Sequence, residues 1–169
     1  MGAAVVSGRV TGTGAAGAAS SVYLHPGQFL VAVAPTVVTT ILGSCVSVCM
    51  HDARRRIAAI NHFLLPVGGS TSPAAQAGRY GDWASEELLT RMLQEGSRRQ
   101  DVEAKVFGGA CVLGAPDREG IHLGYRNVEA ALAFLDRQGI TVRSRDTGGA
   151  RGRKLIYHTD TGDALVRLL

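Results

Sequence analysis

The sequence predicts an α+β domain in which helices pack on β-sheets. Three observations support this fold class. Short segments rich in apolar and β-branched residues recur along the chain, as expected of strands. Only two segments show the period of an amphipathic helix. The connecting segments are rich in glycine, which accounts for 22 of the 169 residues, about twice the usual ~7 % share.

The predicted strands are short, and turn-forming residues separate them. Pro35 ends the first apolar run, and Gly43-Ser44 interrupts the chain between the second run and the third. Eight segments have this character: 29–34, 37–42, 45–50, 57–60, 102–107, 140–145, 155–158 and 164–168. Because these segments outnumber the helices, we expect sheets to form most of the framework.

Two helices are predicted. The segment 82–95 has its leucines and a methionine on one side, and Gly96 follows its end. The segment 127–138 opens with Asn127, a residue type that caps helices, and it stops at Gly139. Residues 67–78 carry no period and are predicted to form a loop.

Residues 1–20 consist almost entirely of Gly, Ala, Ser, Thr and Val, with one charge at Arg9. Such a segment buries too little apolar surface to offset the entropy of ordering it. We expect a flexible tail over 1–20 and a single domain over 21–169.

The composition excludes several classes of protein. No stretch approaches the roughly 18 consecutive apolar residues of a membrane helix, and the N-terminus lacks the pattern of a secretory signal. The three cysteines form an odd set in a chain large enough to need no disulfides. We therefore expect a cytoplasmic protein with reduced thiols and no direct insertion into a membrane.

The charge does not indicate a nucleic-acid partner. The chain has 18 Lys and Arg against 14 Asp and Glu, a formal net charge of +4. Outside the clusters at 54–56 and 151–154 the basic residues are scattered, as on a solvated surface. Aromatic residues, which stack on bases, make up only 5 % of the chain and are not clustered.

The first candidate for chemistry is the thiol of Cys45, which follows Gly43-Ser44. A Gly-Ser break lets the backbone turn sharply, so N–H groups beside the sulfur could stabilise a developing oxyanion. The alternative is that Cys45 is a small buried hydrophobic residue, as most free cysteines are. His62, beside Asn61 in an apolar run, is either the base of a nucleophile or a core histidine with satisfied hydrogen bonds.

Metal and phosphate sites are weaker interpretations. Cys45, Cys49, His51 and His62 are zinc-ligand types, but the two cysteines would lie about 13 Å apart on a strand. The basic, glycine-rich segment 148–154 could cradle an anion, although it lacks the spacing of a phosphate-binding loop. We expect no metal and no organic cofactor.

Six motifs, in order, give the chain a resemblance to a known family. They occupy residues 39–46, 61–66, 79–82, 105–110, 124–128 and 146–154. In these motifs the chain resembles CheD, the family of chemoreceptor glutamine deamidases, over about residues 22–168. The resemblance implies an α/β sandwich of mixed β-sheets flanked by helices.

The resemblance also implies a catalytic set of Cys45, His62 and Thr39. Cys45 would be the nucleophile, His62 its base, and Thr39 the residue that orients the imidazole. Cys49 and Cys111 would then be structural. Backbone groups around the cysteine, with Ser44, Gly43 and Asn61 as candidates, would bind the substrate or the oxyanion.

The implied reaction is hydrolytic deamidation of receptor glutamines to glutamate, with release of ammonia. The implied partners are methyl-accepting chemotaxis receptors and, in some systems, the CheC phosphatase. The main alternative is an adaptor that binds the receptor or the phosphatase and has no catalytic turnover.

Overall fold

A computed structural model of the chain describes residues 19–68, 74–112 and 122–169. Within these ranges lie nine strands, two α-helices and two short 3₁₀ segments, at Ala74–Arg79 and Arg99–Asp101. The strands are β1 (Ser20–Tyr23), β2 (Phe29–Ala32), β3 (Thr36–Leu42), β4 (Val46–Asp52), β5 (Ile57–Asn61), β6 (Glu103–Gly108), β7 (Thr141–Thr147), β8 (Arg153–His158) and β9 (Ala164–Leu168). The helices are α1 (Gly81–Gln94) and α2 (Leu123–Arg137).

The strands form two mixed sheets. The four-stranded sheet has the order β1-β3-β8-β9, with β1 parallel to β3 and the other pairs antiparallel. The five-stranded sheet has the order β2-β5-β4-β6-β7, and only β6 and β7 are parallel. Since β3 and β4 belong to different sheets, the chain crosses between the sheets at residues 43–45.

Two apolar cores divide the molecule into three layers. One core lies between the two helices and the five-stranded sheet, where Val46, Val48 and Met50 of β4 contribute their side chains. The other core lies between the two sheets and includes Cys49 and Leu155. Because side chains alternate along a strand, β4 supplies both cores from its two sides.

The predicted α+β class, with mixed sheets, is confirmed. All eight predicted strands have a counterpart, within about two residues at each end. The helix predicted from Asn127 begins at Leu123 instead, so Asn127 lies inside α2 and is not its cap. A 3₁₀ segment at Ala74–Arg79 occupies the end of the loop predicted at 67–78 and extends one residue beyond it. Neither helix in the described ranges has the length and apolar character needed to cross a membrane.

The predicted tail lies almost wholly outside the described residues, which begin at residue 19. Its last residue, Ser20, already belongs to β1, where its hydroxyl is 3.0 Å from the Thr36 hydroxyl. The β1 strand was not predicted because Ser20 and Ser21 share the small-residue composition of the segment before them.

Candidate active site

The crossing between the sheets carries the thiol of Cys45. This side chain is half-buried and packs at the margin of the core between the two sheets. The next residue, Val46, begins β4 and exchanges two backbone hydrogen bonds with Phe63, at 3.1 and 3.0 Å. The thiol is thus placed where the rigid framework of both sheets meets a short loop.

Three carbonyl groups of this crossing have fixed partners. The Gly43 carbonyl accepts from the Ala110 amide and the Cys45 carbonyl from the Gly109 amide, both at 2.8 Å. The Ser44 carbonyl accepts from Nδ2 of Asn127 at 2.9 Å. The end of β6 passes so close to the Cys45 carbonyl that residue 108 must be glycine. Its φ is +108°, and a Cβ there would lie 2.2 Å from the Cys45 oxygen.

The N–H groups on the same peptide planes as these carbonyls remain available to bind a substrate atom. No cis peptide occurs in the described chain, so each N–H points away from the carbonyl of the preceding residue. The fixed carbonyls of Gly43 and Ser44 therefore orient the N–H groups of Ser44 and Cys45. Neither N–H donates a hydrogen bond to another residue that the structure describes, and the Cys45 N–H faces its own sulfur. Two oriented donors beside a thiol are what an oxyanion-binding site needs.

His62 is held from both sides at the end of β5. Its backbone N–H donates to the Gln28 carbonyl at 2.9 Å, and its carbonyl accepts from the Gly27 amide at 2.7 Å. Its ring atom Nδ1 lies 2.8 Å from Oγ1 of Thr40. The side chain is only 2 % exposed.

The hydrogen bonds of Thr40 determine the tautomer of this imidazole. The Thr40 hydroxyl donates its single hydrogen to the Leu24 carbonyl at 2.8 Å, and a carbonyl can only accept. The Thr40 oxygen must therefore accept from Nδ1–H of His62, which leaves an unprotonated lone pair on Nε2. Nε2 is buried and has no hydrogen-bond partner among the described residues. The ring is thus prepared to accept a proton there.

Cys45 and His62 face the same side of the five-stranded sheet. Val46 and Phe63 pair directly and point into the core beside the helices. Their neighbours Cys45 and His62 therefore point the other way, into the space between the sheets. Such diagonal neighbours on adjacent strands are within about 7–8 Å of each other. No hydrogen bond joins the thiol to the ring here, which is common when no substrate is bound.

Burial keeps both groups uncharged. Desolvation raises the pKa of the Cys45 thiol, against a smaller opposing effect of its own backbone amide. Desolvation lowers the pKa of His62 to about 4, with the Leu24 carbonyl opposing the shift and the nearby His25 adding to it. At neutral pH the site therefore holds a thiol and a neutral imidazole, and the imidazole is available as a base.

Two predicted site residues lie elsewhere. Thr39 is on the opposite side of β3 from Thr40, so the structure places Thr40, and not Thr39, against the imidazole. Asn61 points towards the helices: its Oδ1 accepts from the Val48 amide at 2.8 Å, and its Nδ2 donates to Ser85 at 3.3 Å. The alternation along β3, in which Thr36, Val38, Thr40 and Leu42 are buried, is the signal that distinguishes Thr40 from Thr39.

The other two cysteines have different surroundings. Cys49 is buried between the sheets, which raises the pKa of its thiol strongly. Cys111 is half-buried, and its Sγ lies 2.9 Å from Nδ1 of His122. This second pair lines a cleft of about 810 Å³ that also includes Tyr125 and Arg145. Neither Cys45 nor His62 lines that cleft.

No cluster of three possible metal-binding side chains occurs in the part of the chain that the structure describes. In the glycine-rich segment 148–154, which was considered as a possible anion site, a guanidinium is bound within the fold. The buried Arg153 guanidinium donates to the Asp146 carboxylate and to the Gly148 carbonyl. Its charge is therefore used within the fold.

Comparison with known proteins gives one consistent result. Residues 64–168 match the family model described as CheD chemotactic sensory transduction. A probable chemoreceptor glutamine deamidase CheD 1 of Anaeromyxobacter dehalogenans is 49 % identical over 153 residues, covering 90 % of this chain and 87 % of that protein. A probable chemoreceptor glutamine deamidase CheD 2 of Geobacter sulfurreducens is 45 % identical, and the match covers 88 % of this chain and 89 % of that protein. A probable chemoreceptor glutamine deamidase CheD of Sulfurimonas denitrificans is 37 % identical, and the match covers 86 % of this chain and 92 % of that protein.

Proposed function

Because this chain belongs to the CheD family, we propose that it is a hydrolase that deamidates glutamine side chains of chemotaxis receptors. The names of its relatives support this reaction class. The structural observation that carries the proposal is the imidazole of His62. Its Nε2 has no hydrogen-bond partner within the described part of the chain and lies on the same side of the sheet as the Cys45 thiol.

The first half of the reaction forms a thioester. Nε2 of His62 takes the proton from Sγ of Cys45, and the sulfur attacks the carbon of the glutamine side-chain amide. The amide oxygen becomes negative, and the N–H groups of Ser44 and Cys45 stabilise it. When the carbon–nitrogen bond breaks, the imidazolium gives its proton to the leaving nitrogen, and ammonia departs.

The second half hydrolyses the thioester. His62 takes a proton from a water molecule, and the resulting hydroxide attacks the thioester carbon. The carbon–sulfur bond breaks, the proton returns to Cys45, and glutamate is released. One water is consumed and one ammonia is formed for each glutamine.

In this proposal Thr40 takes the orienting role that the family resemblance implies for Thr39. By accepting from Nδ1–H, it directs the Nε2 lone pair into the space between the sheets and stabilises the imidazolium that forms during each half-reaction. This contact depends on the Thr40 hydroxyl, since a valine of similar shape could not accept the hydrogen bond.

The proposal includes a setting and partners. The substrate is the glutamine-bearing cytoplasmic part of a chemotaxis receptor, so the protein acts in the cytoplasm, where its three free cysteines stay reduced. The CheC phosphatase is proposed as a second partner on the family resemblance alone. Neither a metal nor an organic cofactor takes part in the proposed steps.

Mass spectrometry of a purified receptor fragment, before and after incubation with the protein, tests the proposal. Deamidation adds about one dalton for each converted glutamine and releases an equal amount of ammonia. The wild-type protein should do both, and Cys45→Ala should do neither. Binding of the receptor fragment by the wild-type protein with no change in mass would overturn the proposal in favour of an adaptor. Shortened receptor fragments would indicate a peptidase.

A further inference from the structure

Asn127 is a fully buried polar residue of α2 that the reaction, as described so far, does not use. It lies in the second turn of the helix, and its exposed fraction is 0 %. Its side chain does not cap the helix. Instead it reaches across to the five-stranded sheet, where the chain enters β4 and leaves β5.

The amide nitrogen of Asn127 bridges the two catalytic segments. Nδ2 donates one hydrogen bond to the Ser44 carbonyl and another to the Leu64 carbonyl, both at 2.9 Å. A side-chain amide has two hydrogens on its nitrogen, so both bonds form at once. Because both partners are carbonyl oxygens, only the nitrogen can face them, and the orientation of the amide is settled.

The bond to Ser44 has a consequence on the other side of the same peptide plane. The Ser44 carbonyl and the Cys45 N–H belong to one planar trans unit, so fixing the carbonyl fixes the direction of the N–H. The bond to Leu64 fixes the chain two residues after His62. A single side chain thereby aligns the amide of the nucleophile with the segment that carries the base.

The other end of the side chain argues against a packing role. Oδ1 of Asn127 is buried and has no hydrogen-bond partner among the described residues. Leucine has nearly the same shape and would fill this place without leaving a buried acceptor unpaired. The amide nitrogen is the part of the residue that the surrounding structure uses.

We propose that Asn127 is a positioning residue that holds the Cys45 N–H as an oxyanion donor. The inference rests on the proposed deamidase function and adds to it a residue 82 positions from the nucleophile in sequence. Without the Asn127 bond, the 44–45 peptide plane can rotate. The N–H then no longer points reliably at the oxyanion, although the thiol and the imidazole keep their places.

Two reactions of the same thiol separate this role from general disruption. Deamidation develops a negative oxygen and needs the oriented N–H groups. Alkylation of Cys45 by iodoacetamide is a displacement at a saturated carbon and develops no such oxyanion. Peptide mapping by mass spectrometry distinguishes Cys45 from Cys49 and Cys111 in the alkylation experiment.

The test variant is Asn127→Leu, compared with the wild-type protein on the same receptor fragment. We expect kcat to fall about 10- to 100-fold, somewhat less than for removal of a donor itself. KM and the rate of Cys45 alkylation should stay within about twofold of wild type. The matched control is Ser85→Ala, which removes a buried hydrogen bond to Asn61 on the side of the sheet opposite to the thiol and the imidazole. It should leave both reactions unchanged.

Three outcomes would overturn the inference. If Asn127→Leu keeps the wild-type kcat, the bridge is not needed. If alkylation and deamidation fall by the same factor, Asn127 supports the thiol–imidazole pair or the fold as a whole. If the wild-type protein converts no receptor glutamine, the proposed function fails and takes this inference with it. The first two outcomes leave the proposed function standing.

Discussion

Among the described residues, the pair Cys111 and His122 and the pair Cys45 and His62 differ in what surrounds them. At the cleft beside α2, Cys111 and His122 are already in contact at 2.9 Å. Between the sheets, Cys45 and His62 make no hydrogen bond with each other, but the surroundings of each are fixed. Thr40 orients the imidazole, and three hydrogen-bonded carbonyls hold the loop of the thiol.

The two pairs differ in whether the thiol and the imidazole touch and in which other groups lie beside them. In the cleft pair, Nδ1 of His122 contacts the thiol, and His122 directly precedes the first residue of α2. In the pair between the sheets, a buried hydrogen bond directs the Nε2 lone pair, and two N–H groups beside the sulfur donate to no other described residue. A reaction through an oxyanion requires those additional groups.

Removal of each thiol in turn should give the largest difference in activity between the two pairs. Cys45→Ala should lower the rate of ammonia release by at least about 10³-fold, because no nucleophile remains. Cys111→Ala should stay within about twofold of wild type. Rates of ammonia release from a receptor fragment provide the measurement. Loss of activity in Cys111→Ala together with retention in Cys45→Ala would move the catalytic site to the cleft.

Replacement of each histidine is expected to have the next largest effect. His62→Gln removes the base and should lower kcat by about 10²- to 10⁴-fold. His122→Gln should leave kcat nearly unchanged, since the cleft pair has no part in the proposed steps. Steady-state kinetics on the same substrate measures both. Equal losses in the two variants would contradict the distinction between the pairs.

The two adjacent threonines test which residue orients the ring. Thr40→Val removes the acceptor for Nδ1–H and should lower kcat about tenfold, as expected from the loss of one buried hydrogen bond. Thr40→Ser keeps a hydroxyl and should recover most of the activity. Thr39→Val changes the opposite side of β3 and should have little effect. A larger loss in Thr39→Val than in Thr40→Val would restore the assignment to Thr39.

The burial of His62 also predicts a pH dependence of stability, an effect on folding and not on the rate. The pKa of His62 is about 4 in the folded protein and about 6.5 in an unfolded chain. Between these values the unfolded state binds more protons, so the free energy of unfolding falls as the pH falls. From pH 7 to pH 5 the contribution of His62 amounts to about 2 kcal/mol.

Urea unfolding at the two pH values measures this loss of stability. His62→Gln has no imidazole at this place, so its free energy of unfolding should depend less on pH by that amount. Equal pH dependence in wild type and His62→Gln would show that the imidazole is not kept neutral by burial.

Local patterns in the sequence were sufficient for most of the framework. Apolar and β-branched runs located the strands, and the apolar side of each helix located α1 and α2, because these patterns act over a few residues. The exceptions involve distant partners. Ser20 pairs with Thr36, and Asn127 lies in a helix that begins at Leu123, before the apparent capping residue.

The residue types of the site were also visible in the sequence. Gly43-Ser44-Cys45 marked a sharp crossing with a thiol, and His62 stood out as a polar residue in an apolar strand. Asn61 looked equivalent to His62, yet the two point to opposite sides of the sheet because side chains alternate. Which side faces the thiol depends on the pairing of Val46 with Phe63.

The amino-acid sequence was therefore sufficient to predict the α+β class, the positions of most elements, the family, and the candidate pair Cys45 and His62. The contact of Thr40 with the imidazole, the free lone pair on Nε2 and the bridge from Asn127 to Ser44 and Leu64 became visible only in the folded chain. The reason is physical. Periodicity arises from neighbours along the chain, whereas strand register and buried hydrogen bonds join residues that are distant in sequence and depend on the packing of all three layers.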